Sequence, residues 1–589
     1  MTCHKALEPA LADEKQGKKR RLRRRDKQGG VWRRVRSKLD RLEERVLLSA
    51  DPLLQADRTA APGESPIAYI QDQSSSALVT VDELARSKIS IDLSKLGGGK
   101  ESQQHEKLSQ VSDDLIQLDA QFQAIELGLG DADSTNLVLS QEADGTLRLG
   151  GDGIVDLLFD APSDVLSIAG GSGLDQIALD TFAVDTGDIS LDLEHIVVGA
   201  NAQILVGGDL TLSAKAAHAE THTGAVDALA SIFEQTEYAS RVHVDGELTV
   251  LGHLAVHAET SLDLRIDHQG DLAPAILSPE VIAEALINPT ATVSAGSISV
   301  QSNAIADLDV DFSGGLGVAD IDLRQVSRAF VSGSADVELT SDDAEFVLIV
   351  EALGQTALDA HFVPSLPSDS STLDDDDSSV DAPTGNGFGL AWGDFSITRE
   401  VAATVGDGSD RLALGTVDAP LAGRVSVGAM AGDYAGQGLD VAIDSGLLGL
   451  QWLSVDDQVL AEMEAVDLYA RGVDILALGQ TTAQSVAKVA TNRIDGFIRA
   501  QAVDSVIVGT GPSAILALDT STFDALSADF VADGSQLGAA NLGAAYAMNR
   551  WSRDVQAFAL DAEITASDVA IRAELLAKLR ADTESQIVT

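Results

Sequence analysis

Short runs of alternating apolar and polar residues recur along the chain after residue 130. One run follows Gly208 and reads Leu-Thr-Leu at positions 210–212, and similar runs follow Gly246 and Gly296. Alternation with period two places both leucines on one face of a strand and the threonine on the other. Glycine before each run permits a bend between strands. The pattern therefore predicts a mainly β body made of short strands.

Two recurrences indicate that these strands belong to repeats. The sequence His-Ala-Glu-Thr occurs at His218 and again at His257, 39 positions later, while Asn492 and Asn549 open similar segments 57 positions apart. Units of this size cannot bury an apolar face alone, so stacked neighbours must form the core. We predict a repetitive β-solenoid or β-helix-like body in two blocks, residues 131–363 and 388–589. Block 2 stops soon after a repeat begins, so we expect a longer protein.

Changes in composition define the remaining segments. We predict a disordered basic arm over residues 1–52, a linker and small α/β connector over residues 53–130, and an acidic linker over residues 364–387. Apolar residues spaced three and four apart predict one amphipathic helix over residues 108–125, which would make a short helical N-terminal region. That helix would pack on the neighbouring domain or, alternatively, pair with a second copy.

Composition narrows the class of protein further. The chain has 45% hydrophobic but only 4% aromatic residues, with 52 glycines, so its core must consist of small aliphatic side chains. A single cysteine, Cys3, excludes an intramolecular disulfide. No run approaches the roughly 18–20 apolar residues of a membrane span, so we predict no transmembrane segment.

Charge is divided unevenly along the chain. Residues 1–46 hold 16 Lys and Arg against 7 Asp and Glu, out of 40 and 92 in the whole chain, so this arm is near +9 and the rest near −61. An anionic surface repels phosphate, which argues against a nucleic-acid partner. Cations are the expected partners of the body, although the same charge also keeps a repetitive β-protein soluble.

The junction between arm and body carries a recognisable segment. Residues 41–52 read RLEERVLLSADP. This segment resembles the signature of the LEPR-XLL family of long, repetitive bacterial surface or secreted proteins, with Leu42, Glu43, Arg45, Leu47 and Leu48 at matching positions. Glu44 departs from the family pattern, which has proline there. The resemblance implies an export or sorting signal, export machinery as a partner of the arm, and an extracellular or cell-surface location.

Two glycine-rich segments suggest calcium. Residues 170–178 fit the nonapeptide of calcium-binding β-rolls, with Asp175 as the acidic position, and Gly406 to Leu412 fit most of it, with Asp410. Calcium takes about six to eight oxygen ligands. Copies more than 200 residues apart cannot complete one shell together, so two interpretations stay open: Ca²⁺ sites at Asp175 and Asp410, or glycine turns that lead into strands.

One histidine cluster has weak metal-site character. His218, Glu220 and His222 would share one face of a strand and could hold a metal ion, but the spacing is not that of a zinc protease. No nucleotide-binding or hydrolase motif occurs, so we assign no catalytic or cofactor-binding residue. The sequence favours a non-enzymatic surface scaffold or adhesin-like protein with an unknown surface or matrix ligand. The alternative is a polysaccharide-active β-helix enzyme.

Overall fold

The computed structural model describes residues 79–81, 88–93, 115–118, 122–130, 135–151, 154–171, 173–223, 236–341, 345–363, 390–443, 448–530 and 545–586. The chain divides into two compact units, residues 1–76 and 77–589, and all described residues belong to the second. The basic arm and the segment at residues 41–52 lie outside the described residues. Within the described residues the protein is mainly β with long parallel sheets and no α-helix.

Strands before residue 200 are short. They are β1 (Val79–Val81), β2 (Lys88–Asp92), β3 (Leu115–Leu118), β4 (Ala124–Gly128), β5 (Asn136–Gln141), β6 (Leu147–Gly151), β7 (Asp156–Phe159), β8 (Val165–Ala169), β9 (Gln176–Leu179), β10 (Phe182–Val184), β11 (Asp188–Leu193) and β12 (His195–Val198).

The longest strands lie in the middle of the chain. This part comprises β13 (Gln203–Val206), β14 (Leu210–Thr223), β15 (Glu237–Val244), β16 (Glu247–Leu277), β17 (Glu280–Ile287), β18 (Thr292–Val331), β19 (Asp336–Leu339) and β20 (Phe346–Val363).

Strands of mixed length follow residue 389. They are β21 (Leu390–Val405), β22 (Leu412–Leu414), β23 (Arg424–Asp433), β24 (Leu439–Ile443), β25 (Leu448–Glu464), β26 (Val466–Ala470), β27 (Gly472–Gln480), β28 (Thr482–Ala487), β29 (Val489–Val503), β30 (Val506–Gly509), β31 (Pro512–Asp519), β32 (Thr522–Phe530), β33 (Tyr546–Trp551), β34 (Asp554–Leu560), β35 (Glu563–Thr565), β36 (Asp568–Leu575) and β37 (Lys578–Gln586).

Most strands pair in parallel with a strand much later in the sequence. In the described part, 33 strands connect into one sheet, and β22, β26, β30 and β35 form a second. The partner lies 44 residues later from β14 to β16, 58 residues later from β21 to β25 and 39 residues later from β25 to β29. Antiparallel pairs occur between β1 and β2 and among β5, β6 and β7.

The register corrects one of the two sequence repeats. Leu210 pairs with Leu254, and Leu254 pairs with Ile298, so the structural offset here is 44 residues. The 39-residue recurrence of His-Ala-Glu-Thr is wrong as a structural register, because His218 pairs with Leu262 and His257 with Ser213. The second recurrence is confirmed, because Asn492 pairs directly with Asn549.

Alternation along the strands produces the core. In β21, for example, buried positions alternate with exposed or half-buried ones along the whole strand. The buried apolar residues form one continuous cluster from Ile89 to Ala525. Each fully buried aliphatic side chain contributes about 1.5–3 kcal/mol.

The predicted helix over residues 108–125 is wrong where the structure describes it. Leu115–Leu118 is strand β3, which pairs in parallel with β7, and Ala124–Gly128 is strand β4, which pairs with β2 and β8. Ile116 and Leu118 are buried while Gln117 between them is exposed. Residues 115–118 therefore have period two, and the three-and-four spacing continued through them into β4; its first positions, 108 and 111, lie outside the described residues.

Strands on either side of residues 364–389 pair with each other. Strand β18 pairs with β21, and strand β20 pairs with β23. The predicted linker at residues 364–387 itself lies outside the described residues. No helix in the described residues is long and apolar enough to cross a membrane.

Candidate functional sites

Asp175 is fully buried in a turn that its carboxylate holds together. One oxygen accepts hydrogen bonds from the Thr135 amide and hydroxyl at 3.2 and 2.7 Å. The other accepts from the Gly171 amide at 2.6 Å, and the Asp175 amide donates to Glu194 at 2.8 Å. Both carboxylate oxygens of Asp175 therefore use their lone pairs to accept hydrogen bonds from the protein. This geometry favours the turn interpretation at Asp175 over calcium ligation.

Asp410 lies in a more open turn. The Ser334 hydroxyl donates to Asp410 Oδ2 at 2.8 Å, and the Ser332 hydroxyl donates to Asp407 Oδ2 at 2.7 Å. Burial opposes ionisation of Asp407, but hydrogen bonds from Ser409 and Ser332 outweigh it and lower the pKa of the carboxyl. Asp410 is exposed, so its carboxylate is more accessible to a cation than that of Asp175.

The described residues contain no cluster of three or more His, Cys, Asp or Glu side chains arranged to hold a metal ion. The structure also does not connect Asp175 with Asp410, since Asp175 is bonded to Thr135 and Asp410 to Ser334. The calcium sites stay a prediction.

The histidine cluster of β14 borders a cavity of about 390 Å³. His218, Glu220 and His222 share a half-buried face of the strand, as predicted. The Tyr238 hydroxyl donates to Glu220 Oε1 at 2.5 Å, and His222 Nε2 lies 3.4 Å from Glu220 Oε2. Thr221 and Pro279 also line the cavity.

Burial shifts the pKa values of Tyr238 and His218. Burial raises the pKa of Tyr238, and Glu220 raises it further by accepting its hydrogen bond. Burial lowers the pKa of His218, whose ring centroid lies 4.8 Å from that of Tyr238. The raised pKa keeps the proton on Tyr238, so Glu220 stays the acceptor of this hydrogen bond, and both side chains line the cavity. This cluster is therefore where the enzymatic alternative is best tested.

A buried ionic network was missed by sequence reasoning. Arg399 donates to both oxygens of Asp457 at 2.6 and 2.9 Å, and Arg553 donates to Asp457 and, at 3.3 Å, to Asp519. All four side chains are fully buried. Two guanidinium groups thus face two carboxylates, which balances the charge that burial would otherwise penalise.

Hydrogen bonds to neutral groups complete the network. Arg399 also donates to the Gly432 carbonyl oxygen at 2.9 Å and to the Thr481 hydroxyl, and Arg553 donates to the Ser521 hydroxyl at 3.2 Å. Burial alone would raise the pKa of Asp457, but the two arginines outweigh it and hold the pKa below its usual value.

Carboxylates also stack across adjacent strands on the outer surface. Asp263 pairs in register with Asp307, and Asp309, Asp359 and Asp440 follow one another in register. Burial raises the pKa of Asp307, and the neighbouring Asp263 and Asp309 raise it further. In-register strands are about 4.8 Å apart, so identical residues at this offset place like charges side by side.

Comparisons with protein-family models, with curated proteins and with solved structures found no match. The LEPR-XLL resemblance of residues 41–52 stays a prediction.

Proposed function

We propose that this chain is a β-solenoid that serves as a non-enzymatic scaffold, adhesin-like, outside the cell or on a bacterial cell surface. The observation that carries the proposal is the mainly parallel, in-register pairing of strands, which from β2 to β32 surrounds one continuous apolar cluster. Such a core grows by adding layers. A longer chain therefore has a longer, repetitive surface.

Three further observations support a scaffold. Charged residues are concentrated on the outer positions, and net charge −52 gives a soluble surface for a molecule with many strands. Several polar residues in the core bond to one another across layers, as Asn492 does to Asn549 at 2.9 Å. The basic arm with its LEPR-XLL-like segment is the expected sorting signal, which the export machinery would recognise. Calcium at Asp410 or Asp175 would add rigidity but is not needed for stacking.

Protease treatment of intact cells tests this function. A surface scaffold is digested by externally added protease while a cytosolic marker survives, and a secreted one is recovered from the medium. Recovery of the protein only in the cytosolic fraction would contradict the proposal.

The enzymatic alternative depends on the cluster at Glu220 and Tyr238. Incubation with a panel of polysaccharides tests it. Cleavage by the wild-type protein that is lost in Glu220→Gln would replace the scaffold proposal with that of a polysaccharide-active enzyme.

A further inference from the structure

Apolar side chains form a row on the outer face of six adjacent strands. Successive residues of this outer row pair in register from β16 to β33: Pro274, Val318, Trp392, Leu450, Val489 and Tyr546. Trp392 is 45% exposed and Tyr546 49% exposed. The row crosses the strands, so its members follow one another at the strand spacing of about 4.8 Å.

Trp452 lies two residues beyond Leu450 of the outer row, and its ring contacts Trp392 of that row. The ring centroids of Trp392 and Trp452 are 5.5 Å apart, with the ring planes tilted by 51°. The whole chain has only 4 tryptophans, and two of them form this pair. The core beneath has its own buried aromatic residues, Phe362 and Phe395, so the exposed tryptophan rings are not required to fill it.

Carboxylates border the tryptophan pair. Asp394 pairs directly with Trp452, and Asp320 pairs with Asp394 on the next strand. Burial raises the pKa of Asp394, and the nearby carboxylates of Asp320 and Asp322 raise it further. Several acidic side chains thus surround the rings, and an acidic surface attracts a cationic group.

We propose that the outer row binds an extended polysaccharide that carries free amino groups. The flat face of a sugar ring packs on an indole ring, and an ammonium group over tryptophan is stabilised by the ring quadrupole. Asp320 and Asp394 accept hydrogen bonds from that ammonium or from hydroxyl groups. The same carboxylates repel uronic-acid and sulfated polysaccharides.

A peptide fits this surface less well than a sugar chain. At the row, strands β18, β21, β25 and β29 are each paired on both sides, so their amides and carbonyls are already used. Peptides usually add to a sheet at an open edge, where backbone partners are free. An extended peptide across the outer row would leave its own backbone groups unpaired against apolar side chains.

Titration of the purified full-length protein with glucosamine oligomers tests the proposal, with tryptophan fluorescence as the signal. N-acetylglucosamine oligomers and lysine oligopeptides are the comparison ligands. We expect glucosamine oligomers to bind most tightly, and Trp392→Ala to weaken their binding about tenfold. Trp392→Phe keeps an aromatic face and should retain most of the affinity. Leu251→Ala, which truncates another exposed side chain, is the matched control.

Asp394→Asn separates charge from ring stacking. It should weaken the glucosamine oligomer and leave the acetylated one unchanged. Equal affinity in Trp392→Ala and Leu251→Ala would overturn the proposal, and a lysine peptide with the same Trp392 dependence would assign the surface to peptides. The measurement does not depend on where the cell places the chain, so its failure leaves the scaffold proposal standing.

Discussion

Asp457 joins two buried arginines that would otherwise lack a common partner. Asp457→Asn leaves Arg399 and Arg553 buried beside a neutral amide, which should cost about 3–5 kcal/mol and lower the melting temperature. Asp263→Asn is the control, because its partner Arg265 is 62% exposed and such pairs contribute less than about 1 kcal/mol. Equal melting temperatures for the two variants would show that the network does not stabilise the fold.

Lowering the pH should weaken the same ionic network. The folded pKa of Asp457 is below its value in an unfolded chain, about 3.9, so the stabilisation is fully present above about pH 4. It is lost as pH falls further, through the folded pKa. We therefore expect the difference in melting temperature between wild type and Asp457→Asn to shrink below about pH 4. A difference that stays constant under acid would contradict this origin.

Glu194 has the opposite pH dependence. Burial raises its folded pKa to about 7, while an unfolded glutamate titrates near 4.3. The folded state therefore holds the proton more tightly, and stability decreases as pH rises from about 4 to about 7. Glu194→Gln retains an acceptor for the Asp175 amide but cannot ionise. Thermal melts at pH 5 and pH 8 should show a smaller decrease in the variant than in wild type.

Calcium dependence can be separated from turn stability at Asp175 and Asp410. Asp175→Ala should lower the melting temperature with or without calcium, because three hydrogen bonds within the chain are lost. If Asp410 binds calcium, a melting shift found with calcium but not with magnesium should disappear in Asp410→Ala. Equal shifts with the two cations would leave both segments as turns.

The buried charges could have been noticed, but not paired, from sequence. Arg399 stands between Ile397 and Val401 in the inward phase of an alternating strand, and Asp457 stands likewise between Val455 and Val459. A charged residue at an inward position signals a buried partner. Which carboxylate meets which arginine depends on the packing of segments 34 to 96 residues apart, and local alternation carries no information about that packing.

At the scale of the element, strands were easier to predict than their order. Alternation correctly gave a mainly β body because period two survives in each strand independently. The helix over residues 108–125 failed because Ile116 and Leu118 belong to a strand of only four residues, too short to outweigh an accidental spacing over eighteen positions. The His-Ala-Glu-Thr recurrence failed because four shared letters do not fix a register, whereas the apolar positions on both faces do.

Close approach of backbone segments makes one glycine essential to layer spacing. A Cβ at Gly171 would lie 1.7 Å from the carbonyl oxygen of Gly130, on the neighbouring layer. Gly171→Ala should therefore separate strands β4 and β8 and lower the melting temperature. Gly128→Ala, whose Cβ would meet nothing within 4 Å, is the matched control. Equal melting temperatures would mean that this turn adjusts without cost.

At the scale of the whole molecule, we expect different parts of the chain to determine its export and its fold. Deletion of residues 1–52 should abolish delivery to the surface or medium while the β-sheet circular dichroism signal persists, because the described core begins after this arm. Combined alanine substitution of Arg45, Leu47 and Leu48 should have the same effect in the full chain. Normal delivery of the truncated protein would remove the sorting role from this segment.

Three successive layers share the same offset of 44 residues, which has a consequence for how the gene can change. Gly208, Gly252 and Gly296 precede strand segments that stack directly, with 44 residues between each and the next. Misaligned recombination between the coding segments of two such layers inserts or removes one complete layer and leaves the side-chain phase on both flanks unchanged. In this part of the gene, such an exchange would therefore change the chain by one complete layer.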